Sequence, residues 1–270
     1  MDLLISIFKI FAAEGDIPPS YGSYHFMWVG ITLAFAIFMV CAFKNLDDKA
    51  VRKLAGGFWI ALVVLEIIKQ LVFSLRVSDG AFVWDYAWYI FPFQFCASPL
   101  YVLPLVAFTK EGKLRDAAIA FIATFSAFAG ICVYVFPYDV LCFYTFINAQ
   151  AMFHHGVQVF FGIYLAFRYR SKMNIKNLLG ATAIFASLAG VAMILNEVVH
   201  QYLSANNMGD VFNMYFISPH FDCTLPVLSI VHDLVPYPVF LCVYIFGFML
   251  CAGLVMLIMK GLVKLTKYDK

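Results

Sequence analysis

Three reactive side chains, one cysteine and two neighbouring histidines, lie inside long apolar stretches of this sequence. Cys96 ends the segment 91–96 (FPFQFC), and His154 and His155 lie within a later stretch. A thiol becomes a nucleophile when a base takes its proton or a positive field stabilises the thiolate. Since neighbouring helical residues point about 100° apart, only one histidine can face Cys96, and the pattern does not decide which. The residue types predict a cysteine nucleophile with a histidine base.

Further polar side chains occur in the same apolar stretches or at their ends, and they could bind a substrate or stabilise a developing negative charge. They are His25, Glu66, Lys69, Gln94, Gln158, Asn196, Glu197 and Asn213. Gln94, Gln158 and Asn196 carry amide donors suited to an oxyanion. Glu66 could orient His155 or accept a headgroup amine. At a spacing of three residues, Glu66 and Lys69 could equally form a structural pair on one helix face.

Three prolines, at positions 92, 99 and 104, surround Cys96. Proline removes a backbone donor and bends a helix. Within a membrane such breaks are tolerated where the backbone is buried in protein or lines a cavity. We therefore expect Cys96 on a distorted helix beside polar groups, and not on a plain lipid-facing surface.

The elements that position these residues follow from composition. The 270 residues are 64% hydrophobic and 13% charged, which is too apolar for a soluble domain of this size. Continuous apolar runs, each close to the ~20 residues of a membrane-crossing helix, exclude a β-barrel. The runs cover residues 26–43, 54–75, 89–108, 116–136, 145–167, 178–199 and 236–259. The sequence predicts an all-α polytopic membrane protein with seven transmembrane helices.

The distribution of positive charge predicts the orientation of these helices. Fifteen of the eighteen Lys and Arg residues form four clusters, which follow the first, third, fifth and seventh runs. The clusters are Lys44, Lys49, Arg52 and Lys53; Lys110, Lys113 and Arg115; Arg168, Arg170, Lys172 and Lys176; and Lys260, Lys264, Lys267 and Lys270. Cytoplasmic loops are enriched in Lys and Arg. The pattern therefore places the N-terminus outside and the C-terminus in the cytoplasm.

We expect a single membrane domain over residues 1–270. Residues 2–13 have apolar side chains at helical spacing, which predicts a short helix lying on the outer surface. Residues 201–235 mix Asn, Asp and Pro with aromatic residues, and we expect them to form a lid over the outer mouth of the bundle. The sequence has no basic patch with interleaved aromatic residues, so nucleic acid is not an expected partner. The cysteine spacing indicates neither a disulfide framework nor a zinc site.

In its motifs the chain resembles the YwaF-like integral membrane proteins, over about residues 20–255. The similar segments are 21–26 (YGSYHF), Glu66, 91–96 (similar to the family's PLHLC), Leu103-Pro104, His155-Gly156, Asn196, 213–216 (NMYF) and Pro219. The superfamily includes an animal transmembrane acyltransferase of ether phospholipids. The resemblance implies that Cys96 and His155, or its neighbour His154, form a catalytic pair. Gln94 stands where the family usually has His, so any catalytic role of that His is lost or shared here.

The leading functional hypothesis is therefore a lipid acyltransferase of a cell membrane, in bacteria the plasma membrane. It would move an acyl chain between a phospholipid and a lyso-lipid through a cysteine thioester, and it would need no metal or cofactor. One alternative is an outward-facing transporter or small-molecule binding protein that uses Glu66 and Lys69. The other is a metal-dependent lipid hydrolase, with ligands drawn from His154, His155, His200, Glu197 and Glu66.

Overall fold

The computed structural model describes residues 2–266, so Lys267 and Lys270 of the last basic cluster lie outside the described residues. The described chain is mainly helical. In chain order the α-helices are α1 (Asp2–Phe11), α2 (Ser23–Ala42), α3 (Asp48–Ser74), α4 (Pro99–Phe108), α5 (Lys113–Phe121), α6 (Ala127–Val135), α7 (Thr145–Arg168), α8 (Ile175–Ala205), α9 (Leu228–Leu234) and α10 (Tyr237–Leu265). A π turn over Ile122–Ser126 joins α5 and α6 into one continuous helix.

Five of the described helices are long and apolar enough to cross a membrane: α2, α3, the combined α5–α6, α8 and α10. Helix α7 has 24 residues, but its two histidines and several amide side chains make it more polar. The third predicted run, 89–108, is not one helix, because only Phe95–Phe108 is a continuous apolar helix. The part before it contains a 3-10 turn at Trp88–Ile90 and then Pro92, which cannot donate a helical hydrogen bond.

A short hairpin, absent from the expected all-helical pattern, follows α3. Strands β1 (Leu75–Ser78) and β2 (Ala81–Trp84) pair antiparallel, with Leu75 opposite Trp84. Asp79 and Gly80 form the turn, with φ of 51° and 74°. An Asp-Gly pair readily adopts these left-handed angles, which match the twist of the two strands.

Helix α7 lies at the centre of the bundle, and glycines bring its neighbours close. A Cβ on Gly130 of α6 would lie 2.7 Å from the carbonyl oxygen of His155. A Cβ on Gly156 of α7 would lie 3.0 Å from the hydroxyl of Thr32 on α2. Interfaces between membrane helices depend on small residues because lipid provides no hydrophobic drive for association. Gly130 therefore allows α6 to approach the backbone of α7, and Gly156 leaves room for the Thr32 side chain of α2.

The two ends of the bundle differ in charge. At one end, which we call the basic end, Arg115 donates to Asp48 at 2.9 Å, and Arg168 donates to the carbonyl of Leu46 at 2.8 and 3.0 Å. Lys172 and Asp116 form an ion pair at the same end. The opposite end carries α1 and the hairpin, and we call it the α1 end. The rings of Phe8 and Phe82 join α1 to the hairpin at 5.4 Å.

Residues 206–227 connect α8 to α9 at the α1 end, and we call them the inserted segment. They were expected to form part of a lid that starts at residue 201, but α8 extends to Ala205. The middle of the segment enters the bundle, where Phe212, Met214, Tyr215 and Ile217 are almost fully buried. Their apolar side chains fill space among the helix ends, which explains why a loop with so many Asn and Asp residues also contains so many aromatic residues.

Candidate functional site

Cys96 lies in the first turn of a helix that begins inside the bundle. The 3-10 turn Phe95–Ala97 continues through Ser98, which has helical angles, into α4. The first amide groups of a helix have no carbonyl partner within it, and the helix dipole places partial positive charge there. Both effects stabilise negative charge, either on a thiolate or on an oxygen beside it.

Two side chains of α7 hold the backbone of Cys96. His154 Nε2 lies 2.9 Å from the carbonyl oxygen of Cys96, and Gln158 Nε2 donates to the same oxygen. The two residues are four apart and therefore share one face of α7. Since a carbonyl only accepts hydrogen bonds, the proton of a neutral His154 lies on Nε2. Its Nδ1 is then a bare lone pair, and this atom is buried without a hydrogen-bond partner among the described residues.

His155 faces a different direction. Its Nδ1 lies 2.7 Å from the carbonyl of Ala151, and its ring centre lies 5.4 Å from that of His154. Its Nε2 is also buried without a partner among the described residues. The structure thus places His154, and not His155, against the Cys96 backbone.

Glu66, Lys69 and Gln70 form a connected polar group on α3. Glu66 Oε1 accepts from Lys69 Nζ at 2.9 Å and from Gln70 Nε2 at 2.7 Å. Gln70 also donates to the carbonyl of Ile90 and accepts from the hydroxyl of Tyr86. The Glu66 side chain is 8% exposed and that of Lys69 is 23% exposed. Lys69 is therefore the more accessible partner of this pair.

Aromatic contacts enclose the polar residues of α3 and α7 between two levels. Near the α1 end, the rings of Phe73 and Tyr144 meet at 5.4 Å. Nearer the basic end, Phe58 contacts Phe160 and Phe161 at 5.5 and 5.0 Å. Glu66, Lys69, His154, His155 and Gln158 lie between these levels in α3 and α7, and His154 and Gln158 contact the backbone of Cys96. We call these six residues the central polar cluster. Cys96 keeps part of its surface accessible.

The amide side chains predicted as oxyanion donors hold the inserted segment, with the exception of Gln158. Gln94 donates to the carbonyl of Asn213 and accepts from the amide of Tyr215, both at 2.9 Å. Asn196 does the same with both backbone groups of Met214, at 3.0 and 2.7 Å. Since both polar atoms of each amide are already paired, Gln94 and Asn196 act as supports for the inserted segment.

Asn213 supports the inserted segment from within. Its side chain donates to the carbonyl of Asp222 at 3.2 Å and accepts from the amide of Ser218 at 2.9 Å. Cys223 follows directly and is 3% exposed. Burial raises the pKa of the Cys223 thiol. Asn213 therefore has a structural role. Because Cys223 is buried only while the segment is in place, its accessibility can be used to measure displacement of the segment.

His25 and Glu197 lie outside the central polar cluster. His25 Nε2 lies 3.0 Å from the carbonyl of Tyr134, near the start of α2. Glu197 pairs with His220 of the inserted segment at 2.8 Å, and the ring of His220 stacks on that of His200 at 3.7 Å. Among residues 2–266, no group of three or more His, Cys, Asp or Glu side chains is arranged to hold a metal ion. The ligands of the hydrolase hypothesis are thus divided between two places.

Two serines near the cluster were missed by the sequence analysis. The hydroxyls of Ser98 and Ser126 are buried without a partner among the described residues. Ser98 follows Cys96 by two positions, a proximity that the sequence already offered as a signal. Ser126 ends the π turn, a type of distortion that is frequent at functional sites but has no sequence signature.

Comparison with known proteins identifies the family to which the chain belongs. Neither a curated protein nor a solved structure matches the chain. The model of one transmembrane protein family matches residues 20–259, which include all of the central polar cluster and the inserted segment. The match covers most of the chain and agrees with the long apolar helices that mark a multi-pass membrane protein. The chain therefore belongs to the TMEM164 family.

Proposed function

We propose that this protein is a phospholipid acyltransferase with Cys96 as nucleophile and His154 as base. The observation that carries the proposal is the position of Cys96 in the first turn of a buried helix, with His154 against its carbonyl. The resemblance to the YwaF-like proteins and to the animal ether-phospholipid acyltransferase supports the same pair of residue types. The substrates are a membrane phospholipid and a lyso-lipid.

The chemical steps use only side chains of the chain and its lipid substrates. Cys96 Sγ is not hydrogen-bonded to His154 Nδ1 in the structure, so the first step in this proposal begins with rotation of the thiol toward that nitrogen. His154 then takes the thiol proton, and the thiolate attacks an ester carbonyl of the phospholipid. The ester C–O bond breaks, and His154 returns the proton to the departing alcohol, which leaves a thioester on Cys96. A lyso-lipid hydroxyl then gives its proton to His154 and attacks the thioester. A new ester forms, and the thiol regains the proton.

The negative charge that develops on the carbonyl oxygen needs fixed donors. The backbone amides of Phe95 and Cys96 supply them in this proposal, because those of Ala97 and Ser98 already donate to the carbonyls of Gln94 and Phe95. Gln158 already donates one of its two amide hydrogens to the Cys96 carbonyl. We assign Gln158 the task of fixing the backbone of Cys96.

The proposal includes a membrane topology of seven spans, with the N-terminus outside and the C-terminus in the cytoplasm. The basic clusters that the structure describes lie at one end of the bundle, which supports a cytoplasmic basic end. The five long helices, α7 and the third apolar run provide the seven crossings. The helix Phe95–Phe108 alone is ~21 Å long at 1.5 Å per residue. Residues 89–94 complete that crossing, and an irregular backbone is tolerated where protein covers it, as at Ile90, which is buried and accepts from Gln70.

This topology brings the central polar cluster within reach of outer-leaflet lipid. His154 lies nine residues from the start of α7, at ~14 Å from the α1 end. Ester groups of glycerolipids lie just below the headgroups, and an acyl chain can extend from there into the apolar part of the bundle. The cell membrane, in bacteria the plasma membrane, provides both substrates without a soluble carrier.

A test measures transfer of a labelled acyl chain from phospholipid to lyso-lipid by the purified protein in detergent–lipid micelles. Cys96→Ala should abolish transfer, and His154→Ala should lower it by about 10²-fold or more, the usual contribution of a general base. His155→Ala should retain more activity than His154→Ala. Cys242→Ala changes an exposed cysteine and is the matched control. Full transfer by Cys96→Ala would refute the mechanism.

The transport alternative depends on Glu66 and Lys69 as ion or solute contacts. The two side chains are paired with each other, and Gln70 also donates to Glu66 Oε1. Solute uptake that survives Cys96→Ala but fails in Glu66→Gln would favour transport over acyl transfer.

A further inference from the structure

Lys69 lies outside the basic clusters, in the half of the bundle that faces the outer leaflet in the proposed topology. Fifteen of the eighteen Lys and Arg residues belong to the basic clusters, and the others are Lys9, Lys69 and Arg76. Lys9 lies on α1, and Arg76 lies on the hairpin, where it is 75% exposed and paired with Asp85. Lys69 is the one that lies within a membrane-crossing helix. A charge at such a position is costly unless it has a partner or a task.

The pair with Glu66 leaves Lys69 capable of binding an anion. Its ammonium group carries three donors, and one is used on Glu66 Oε1. Glu66 Oε1 is at the same time held by Gln70. The carboxylate is therefore fixed, while the ammonium is the more exposed group of the pair and has donors to spare.

The level of Lys69 in the bundle matches the chemistry of a phospholipid. Lys69 lies five residues from the end of α3, which is ~7.5 Å from the α1 end, and His154 lies at ~14 Å. Lys69 is thus about one helical turn closer to the α1 end than the group that contacts Cys96. In a phospholipid the phosphate is a few bonds from the ester carbonyl, on the headgroup side. A lipid with its ester at Cys96 would bring its phosphate level with Lys69.

We propose that Lys69 binds the phosphate of the lipid and thereby sets the depth at which the ester meets Cys96. A phosphodiester and an ammonium form charge-assisted hydrogen bonds that are stronger than neutral ones. Glu66 and Gln70 position Lys69 for this contact. The inference rests on the proposed acyl transfer for its catalytic meaning, but the binding of a phosphate-bearing lipid can be measured without turnover.

The test compares two fluorescent lipids with the same acyl chains, a phospholipid and a diacylglycerol that lacks the phosphate. Their affinities are measured in neutral detergent micelles with the Cys96→Ala protein, which cannot turn over. Adding Lys69→Met should weaken phospholipid binding by about tenfold or more, as expected for loss of a hydrogen bond to a charged group. Diacylglycerol binding should change less than twofold. Adding Lys69→Arg should restore most of the phospholipid affinity.

Three controls make the result decisive. Arg76→Met removes an exposed cation at the same end and should leave both affinities unchanged. The double variant Glu66→Gln/Lys69→Met removes the pair together, so that no unpaired carboxylate remains, and should show the same selective loss. If millimolar inorganic phosphate displaced the phospholipid, and the affinity did not depend on the acyl chains, the site would instead be one for free phosphate. Equal loss of both lipids, or of neither, would overturn the proposal.

The outcome also separates this inference from the proposed function. Selective loss of phospholipid binding, without acyl transfer by the Lys69-intact enzyme, would support a phosphate site and refute the acyltransferase. If the enzyme transferred acyl chains but Lys69→Met weakened the binding of phospholipid and diacylglycerol equally, the acyltransferase would be supported and the phosphate site refuted.

Discussion

Replacement of Asn196 by Leu is expected to release the inserted segment from the bundle. Asn196 is fully buried, and its side chain pairs with both the amide and the carbonyl of Met214. Leu has a similar volume but pairs with neither group. Each unsatisfied buried backbone group costs about 1–3 kcal/mol, so loss of both should destabilise the segment by about 3 kcal/mol after partial relaxation. At 1.4 kcal/mol per factor of ten, the open population rises about 10²-fold.

The assay follows alkylation of Cys223 by a water-soluble maleimide, with peptide-resolved mass spectrometry. In the parent protein this thiol is buried and its pKa is raised by burial, so labelling at neutral pH should be slow. In Asn196→Leu the labelling rate should increase by about 10²-fold. Asn206→Ala is the matched control, because its side chain makes one exposed hydrogen bond to Tyr202. An unchanged Cys223 labelling rate in Asn196→Leu would refute the assigned role of this asparagine.

Two further pairs of variants test packing and ion pairing by thermal unfolding in detergent. Gly130→Ala should lower Tm because its methyl group would meet the His155 carbonyl at 2.7 Å, an overpacking that costs about 1–3 kcal/mol, whereas Gly247→Ala has open space and should be neutral or slightly stabilising. An equal response of the two glycines would contradict the close contact. Arg115→Met should cost about 1–3 kcal/mol because it removes a buried donor to the Val106 carbonyl and to Asp48, which is 34% exposed and keeps Arg52 and Tyr169. Arg76→Met, at an exposed pair, should change stability by less than about 1 kcal/mol. Equal Tm shifts of the two arginine variants would show that the buried network contributes little.

The long helices were predictable because their signal is carried by continuous runs of residues. The apolar runs that contain Ala36, Leu62, Phe185 and Phe248 give α2, α3, α8 and α10 without any knowledge of contacts. The third run is only partly helical, because Pro92 and the preceding turn keep residues 89–94 out of the helix that begins at Phe95. Hydropathy alone does not detect such a break. The hairpin carried a local signal in Asp79-Gly80, but its strands are too short to stand out from the surrounding apolar sequence.

The site was predictable in its residue types and less so in its geometry. The sequence singled out Cys96 and the histidine pair, since reactive groups in apolar runs are rare. Which histidine meets Cys96 depends on how α7 is rotated, and that rotation follows from contacts with other helices, such as the one at Gly130. The roles of Gln94 and Asn196 depend on pairing with residues far along the chain, and nothing in their local sequence indicates those partners.

The most direct test of the central claim is intact-protein mass spectrometry after incubation with a defined phospholipid. We expect a hydroxylamine-labile adduct of one acyl mass on the parent protein, absent from Cys96→Ser and lost when lyso-lipid is added. Adduct formation should be slower in His154→Ala than in His155→Ala, because His154 is the histidine held against the Cys96 backbone. Undiminished acyl transfer with no adduct, or an adduct that persists in Cys96→Ser, would contradict the assignment of Cys96 as the nucleophile.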